Sequence, residues 1–394
     1  MVSKRKMFEK PIGMRDTLPD LYRRKREART RISNVIESFG YDFLETPTLE
    51  FYDTVGKASA ILDQQLFKLM DRDGNTLVLR PDMTAPIARL ATSSLYTGGY
   101  PLRLSYDTNV FRAQQREGGR PAEFEQVGVE LIGDGTASAD AEVITLMITS
   151  LKAAGLTNFT IALGHIGYVN ALFREILGNE ERTKQIRRFL YEKNYVGYRQ
   201  HVKSLPLSTI DKNRLLTLLR LRGEGDVLRT AIELVQDEKA IQSIQELKQL
   251  WSALEANSVT EFVKIDFNLI PHMSYYTGIL FEGYSPLVGY PICGGGRYNQ
   301  LLEKFDRPAD ATGFAIRLDY LLEALDDTNS LKMECVLFSS ERRKEAIRFA
   351  EELRKKDKQV VLQDIAGVKD VDAFTEKFIE TTFFIGKPGR EVNL

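Results

Sequence analysis

The chain has 394 residues, 43% hydrophobic and 28% charged, with 54 Lys+Arg against 55 Asp+Glu for a formal charge of −1. That length suffices for two or three domains with a sizeable core, and the composition excludes extensive disorder. The balanced charge excludes a global pull toward nucleic acid or anionic membrane, although it leaves room for a local basic groove. In chain order, the first element is an amphipathic helix over 21–40. Ile32, Val35, Ile36 and Phe39 recur at i, i+3, i+4 and i+7, and Gly40 supplies the stop. From 42 to 135, short apolar runs alternate with turn residues: Asn75 to Arg80 after Asp73-Gly74, then Arg103 to Arg112, then Phe124 to Ile132. This texture predicts a largely antiparallel sheet. A helix over about 139–154 follows, closed by Gly155.

Residues 169–255 contain one proline, Pro206, and are rich in Leu, Glu, Lys, Arg and Ala, with patches such as Leu215-Leu216-Thr217-Leu218-Leu219. They predict a helical insertion. The segment 267–296 carries a single charge, Glu282, among six glycines, three prolines and several tyrosines. It is too broken for a membrane helix and too apolar for an exposed linker, so it reads as strands and turns lining a buried cleft. The tail alternates strand (Cys335 to Phe338), helix (341–355), strand (Gln359 to Gln363), helix (370–380) and strand (Thr381 to Ile385), a small α/β domain of βαβ type.

Cys293 and Cys335 make no disulfide framework, and His165, His201 and His272 have no metal-site spacing, so neither metal nor cofactor is expected. Lys4, Arg5 and Lys6 precede no apolar stretch, and there is no run of the roughly 18 apolar residues a membrane span needs. The expected location is cytoplasmic.

The most informative local pattern is Phe124-Glu125-Gln126-Val127-Gly128-Val129-Glu130-Leu131. On a strand, Val127, Val129 and Leu131 share one face, and Phe124, Gln126, Gly128 and Glu130 the other. The second face suits a ligand lying over Gly128 while Gln126 and Glu130 take its polar groups; a half-exposed strand with solvated polar residues accounts for it equally. Arg80-Pro81-Asp82-Met83-Thr84-Ala85-Pro86 ends a strand in a turn, where Asp82 suits an Asx turn or helix cap. Arg112, Arg116, Gly118, Gly119 and Arg120 could grip an anion or form a solvated hairpin. Gly294-Gly295-Gly296 lacks the Lys-Ser/Thr of a P-loop and reads as tight backbone approach at a turn.

In order and spacing these pieces resemble histidyl-tRNA synthetase, a class II synthetase. Leu79-Arg80-Pro81-Asp82-Met83-Thr84-Ala85 is similar to that family's LRPEGTA turn, and Phe111-Arg112 through Glu130 to its second class motif and following strand. Ser274-Tyr275-Tyr276-Thr277-Gly278 resembles DYYTG, Gly295-Gly296-Arg297-Tyr298 resembles GGRY, and Gly313-Phe314-Ala315-Ile316 opens the third motif. The first motif lies near Glu45-Thr46-Pro47. The implied fold is α+β: a class II aminoacyl-tRNA synthetase-like antiparallel sheet of six or seven strands flanked by helices. Residues 1–325 would form this core, with 169–255 as insertion, and 331–394 a shortened C-terminal α/β domain.

Departures from the family pattern fall on the nucleotide side. The adenine-side glutamate of the second motif is Gln114, the arginine before DYYTG is Pro271 beside His272, and the third-motif arginine is Tyr320 after Asp319. Loss of one positioned charge costs ~10²–10³ in rate. By contrast Asp82, Thr84, Arg112, Gln126, Glu130, Tyr275 and Tyr276 match the family's histidine contacts, with Asp82 one methylene shorter than the family's Glu and Ser274 replacing its Asp.

Retained amino-acid contacts, degraded ATP contacts and a cut-down tail resemble the regulatory subunits of ATP phosphoribosyltransferase, synthetase paralogues that pair with a short catalytic subunit. That resemblance implies a non-catalytic chain, binding L-histidine for feedback and forming a homodimer within a hetero-oligomer. Two alternatives stand beside it: an active histidine–tRNA ligase in which Arg317 or His272 supplies the missing charge, and a tRNA-binding module without catalysis.

Overall fold

The helix expected over 21–40 runs over Pro19–Ser38, with Ile32 and Ile36 buried and the chain turning at Gly40. The structure is a computed structural model that describes residues 9–95, 99, 101–113, 120–270, 275–325 and 333–387. It divides into two compact units, Met1–Leu325 and Asp326–Leu394.

The larger unit is built on a nine-stranded sheet. Across it run Asp42–Phe43, Leu102–Phe111, Glu123–Ile132, Ala311–Arg317, Cys293–Arg297, Ile279–Tyr284, Thr160–His165, Val263–Asp266 and Arg222–Gly223. The five neighbour pairs from Leu102–Phe111 to Thr160–His165 are antiparallel, whereas Asp42–Phe43 and Val263–Asp266 join in parallel. The sheet is therefore mixed, and its excess over six or seven strands comes from two-residue strands at its edges. Val127, Val129 and Leu131 enter the main core with the helix Ala137–Ala153, while Phe124 joins a second cluster with Tyr106, Tyr275 and Tyr298. Both faces of Glu123–Ile132 are thus covered. Gln126 and Glu130 are 7% and 2% exposed, which rules out the half-solvated strand.

One expectation is borne out in this unit and one is corrected. The turn after Arg80 leads into a helix, Thr84–Thr92. Pro86 lies in its first turn, where no intrahelical N–H is required, so it starts rather than breaks the helix. Gly294–Gly296 lie inside the strand Cys293–Arg297, not in a turn, and their close approach is to neighbouring strands.

Between Ile166 and Ala256 the chain is mostly helical, in six helices. The last, Glu238–Ala256, packs on Ile166–Leu177 and Ala137–Ala153. It carries Trp251, the protein's one tryptophan, whose Nε1 donates to Glu255 at 2.9 Å. The same helix is tied to the sheet at His165. There Nδ1 accepts from Gly167 N at 3.1 Å and Nε2 faces the Glu246 carboxylate at 2.9 Å. A separate three-stranded antiparallel sheet joins Leu49–Phe51, Thr76–Leu79 and Lys68–Met70.

The smaller unit has three parallel strands, with Met333–Phe338 between Gln359–Asp364 and Glu380–Phe384, and the helix Arg343–Lys355 against them. The helix expected over 370–380 spans only Val371–Thr375, because a turn closed by Phe378 N on Thr375 O leads into the strand at Glu380.

Candidate ligand-binding site

Strand Thr76–Leu79 ends at Arg80, whose buried guanidinium donates to the backbone oxygens of Thr46 (2.7 Å) and Asn109 (2.9 Å) and to Thr108 Oγ1. This lock fixes the next residues. Asp82 Oδ1 accepts from Ala85 N at 3.1 Å, capping the helix Thr84–Thr92, and Oδ2 accepts from Ser59 Oγ at 2.6 Å. The cap expected for Asp82 is present, made by a carboxylate that is 3% exposed.

Opposite, Glu130 projects from the central strand toward Gly313 of the neighbouring strand, where a β-carbon would overlap its carboxylate. Tyr298 Oη donates to Glu130 Oε2. Burial raises the Glu130 carboxyl to about 8, with hydrogen bonds from Tyr298 and Thr84 opposing the rise and the charge of Asp82 adding to it. Tyr275 meets Tyr276 edge-on at 5.0 Å and Tyr298 at 5.8 Å, and its hydroxyl reaches Thr84 Oγ1 at 3.5 Å.

Arg112 follows the strand Leu102–Phe111 and donates through Nε to Pro81 O at 2.8 Å. Burial lowers the pKa of its guanidinium, and the Asp82 carboxylate acts the other way. Phe124 carries the Arg112 guanidinium 5.3 Å from its ring and that of Arg317 at 3.8 Å.

All seven residues singled out from the sequence, Asp82, Thr84, Arg112, Gln126, Glu130, Tyr275 and Tyr276, line one cavity of ≈ 580 Å³, a size usual for small-molecule sites (roughly 300–1,000 Å³). Arg120 lines it too, whereas Gln114, Arg116, Gly118, Gly119, Pro271, His272 and Ser274 lie outside the described residues. The expectation that a ligand lies over Gly128 is corrected. The strand partner Tyr106 covers it, and a β-carbon at Gly128 would overlap the Tyr106 hydroxyl and Phe314 O. Three contributors had no role assigned from sequence: Ser59, Tyr106 and Tyr298. Tyr298 was detectable as the last residue of its GGRY-like motif, but nothing local marks Ser59 or Tyr106. Among the described residues no group of three or more His, Cys, Asp or Glu could hold a metal ion, and no helix is long and apolar enough to cross a membrane. Cys293 lines the cavity as a buried thiol, pushed up by desolvation.

Two carboxylates, an arginine and a set of tyrosines around one small cavity suit a zwitterion with a flat side chain. Comparison with known proteins places the chain in a family. The histidyl-tRNA synthetase family profile matches residues 13–321, and the profile "Histidyl-tRNA synthetase HisZ, C-terminal domain" matches 335–386. A Geobacillus kaustophilus protein named ATP phosphoribosyltransferase regulatory subunit is 60% identical over 392 residues, covering 99% of this chain and 100% of that protein. The Bacillus subtilis protein of the same name is 59% identical over 388 residues, covering 98% and 99%. The chain belongs to the ATP phosphoribosyltransferase regulatory subunit family. A crystal structure from Bacillus halodurans, described as an ATP phosphoribosyltransferase regulatory subunit/histidyl-tRNA synthetase, superposes with a TM-score of 0.90 at 58% identity, covering 98% of this chain and 100% of that one. The core and the C-terminal unit thus match two separate family profiles.

Proposed function

We propose that the chain is the non-catalytic regulatory subunit of a short-form ATP phosphoribosyltransferase, and that it binds L-histidine in the cavity between Asp82 and Tyr276 to impose feedback on a separate catalytic subunit. The observation that carries this reading is the convergence of Asp82, Thr84, Arg112, Gln126, Glu130, Tyr275 and Tyr276 on one buried cavity. Asp82 and Glu130 suit the cationic groups of histidine, Arg112 its carboxylate, and the tyrosines its imidazole ring. The ligase alternative is weakened at Arg317, one of the two cations it could use, since that guanidinium is already held by Asp319 at 3.0 Å; His272, the other, lies outside the described residues. A ligand with unequal affinity for two states of such an assembly shifts their populations, which suffices for feedback.

The test is phosphoribosyl transfer to ATP by the catalytic subunit of the same organism, with and without this chain, across a histidine titration. Activity that depends on the chain and falls with histidine is the expected result. Glu130→Ala and Tyr275→Ala should abolish the histidine response while leaving assembly intact. No effect of the chain sinks the pathway assignment, and undiminished inhibition in both variants sinks the cavity as sensor.

A further inference from the structure

We propose that Arg317 sets the specificity of this cavity: its guanidinium fills the place against two aromatic rings that a flat heteroaromatic ligand, such as a nucleobase, would otherwise take. The inference rests on reading the cavity as an amino-acid site. The Arg317 guanidinium lies 3.8 Å from the Phe124 ring centre and 3.7 Å from that of Tyr320. Both are stacking distances for a planar group. Tyr320 is backed by Tyr290 at 4.1 Å, and the Tyr290 hydroxyl donates to the Glu323 carboxylate. Phe124, Arg317, Tyr320 and Tyr290 all line the same cavity as Glu130.

The guanidinium is held there from behind. Arg317 ends the strand Ala311–Arg317, and Asp319 stands in the first turn of the helix Leu318–Ala324, so the strand-to-helix junction brings the two together at 3.0 Å. A guanidinium suits the task because it is planar, stacks on rings and stays charged. The aromatic surfaces next to the amino-acid contacts are therefore already stacked, by a group tethered to the chain. A free flat ring must displace that tether and break its ion pair. An amino acid among Asp82, Glu130 and Tyr275 need not.

The test measures binding of adenosine and of L-histidine to the full-length chain by calorimetry, for the wild type, Arg317→Ala and Arg317→Lys. Removing the planar group should raise adenosine affinity by about tenfold or more in both variants, since base–aromatic stacking becomes available. Histidine affinity should stay close to the wild-type value. Lysine keeps a cation for Asp319, so that variant decides the matter if the alanine variant does not fold. Unchanged adenosine affinity in the folded variants overturns the proposal. So does wild-type adenosine binding that is lost on substitution, which would make Arg317 a ligand contact. Failure of the wild type to bind histidine overturns the amino-acid reading instead and leaves the adenosine comparison standing.

Discussion

Glu130 sits among Tyr298, Thr84 and Asp82, with burial lifting its carboxyl to about 8. At neutral pH it therefore holds a proton, and a cationic ligand group must expel that proton to gain a carboxylate. Affinity for histidine should rise with pH up to about 8 and then level. Calorimetry in two buffers of different ionisation enthalpy should detect the released proton, and Glu130→Gln should abolish both the release and the pH dependence. The sign for stability is opposite. A carboxyl raised on folding contributes stability that is present below its unfolded value of 4.5 and lost as pH rises through about 8. A second residue-scale case is Asp140, whose side chain is 5% exposed and pairs with Arg297 at 3.0 Å. Asp140→Ala leaves that guanidinium buried without its counter-charge, a cost of about 3–5 kcal/mol, readable as a lowered midpoint of chemical unfolding. Asp82 and Glu130 were legible in the sequence because they stand in motifs. Ser59 and Tyr106 were not, because their partners come from other segments: Ser59 donates to Asp82, and Tyr106 covers Gly128 across the strand pair.

Among the elements, the central strands are matched by close approaches that only glycine allows. At Gly313 a β-carbon would overlap the Glu130 carboxylate and Val129 O. Gly313→Ala should therefore destabilise by about 1–3 kcal/mol, as overpacking does, and should displace Glu130. Thermal unfolding and histidine titration of the same variant check both effects together. Alternation made the two faces of Glu123–Ile132 legible, and the periodicity of Ile32 and Ile36 did the same for the first helix. The helix Thr84–Thr92 was legible only at its start, through the cap at Asp82, because Pro86 looks like a breaker within a short segment. The strand Thr160–His165 was missed because the small Ala162 and Gly164 alternate with Ile161 and Leu163, which leaves little polar contrast to read.

For the whole molecule, the small sheet of Leu49–Phe51, Thr76–Leu79 and Lys68–Met70 exposes Leu49 by 44%, Phe51 by 52% and Leu69 by 44% on one face. This clustering of apolar side chains supports the homodimer expected from the family resemblance, since contiguous exposed apolar surface marks interfaces. Phe51→Asp combined with Leu69→Asp should shift sedimentation from dimer to monomer, and a wild type that already sediments as a monomer refutes the dimer. The mixed sheet as a whole was only partly legible, since two of its strands, Asp42–Phe43 and Arg222–Gly223, are set by partners rather than by pattern.

The solitary indole of Trp251 makes the helical segment optically distinct from the rest of the chain. Its helix reaches the sheet through Glu246 and His165, and Ile166 N donates to Gly278 O just beyond Tyr275 and Tyr276. Tryptophan emission from the unlabelled protein thus reports on that helix alone, which contacts reaching through Glu246, His165 and Ile166 connect to the segment carrying the cavity tyrosines. A spectral change on adding histidine would be a signal carried from the tyrosines to the indole through those contacts, visible without attaching a dye.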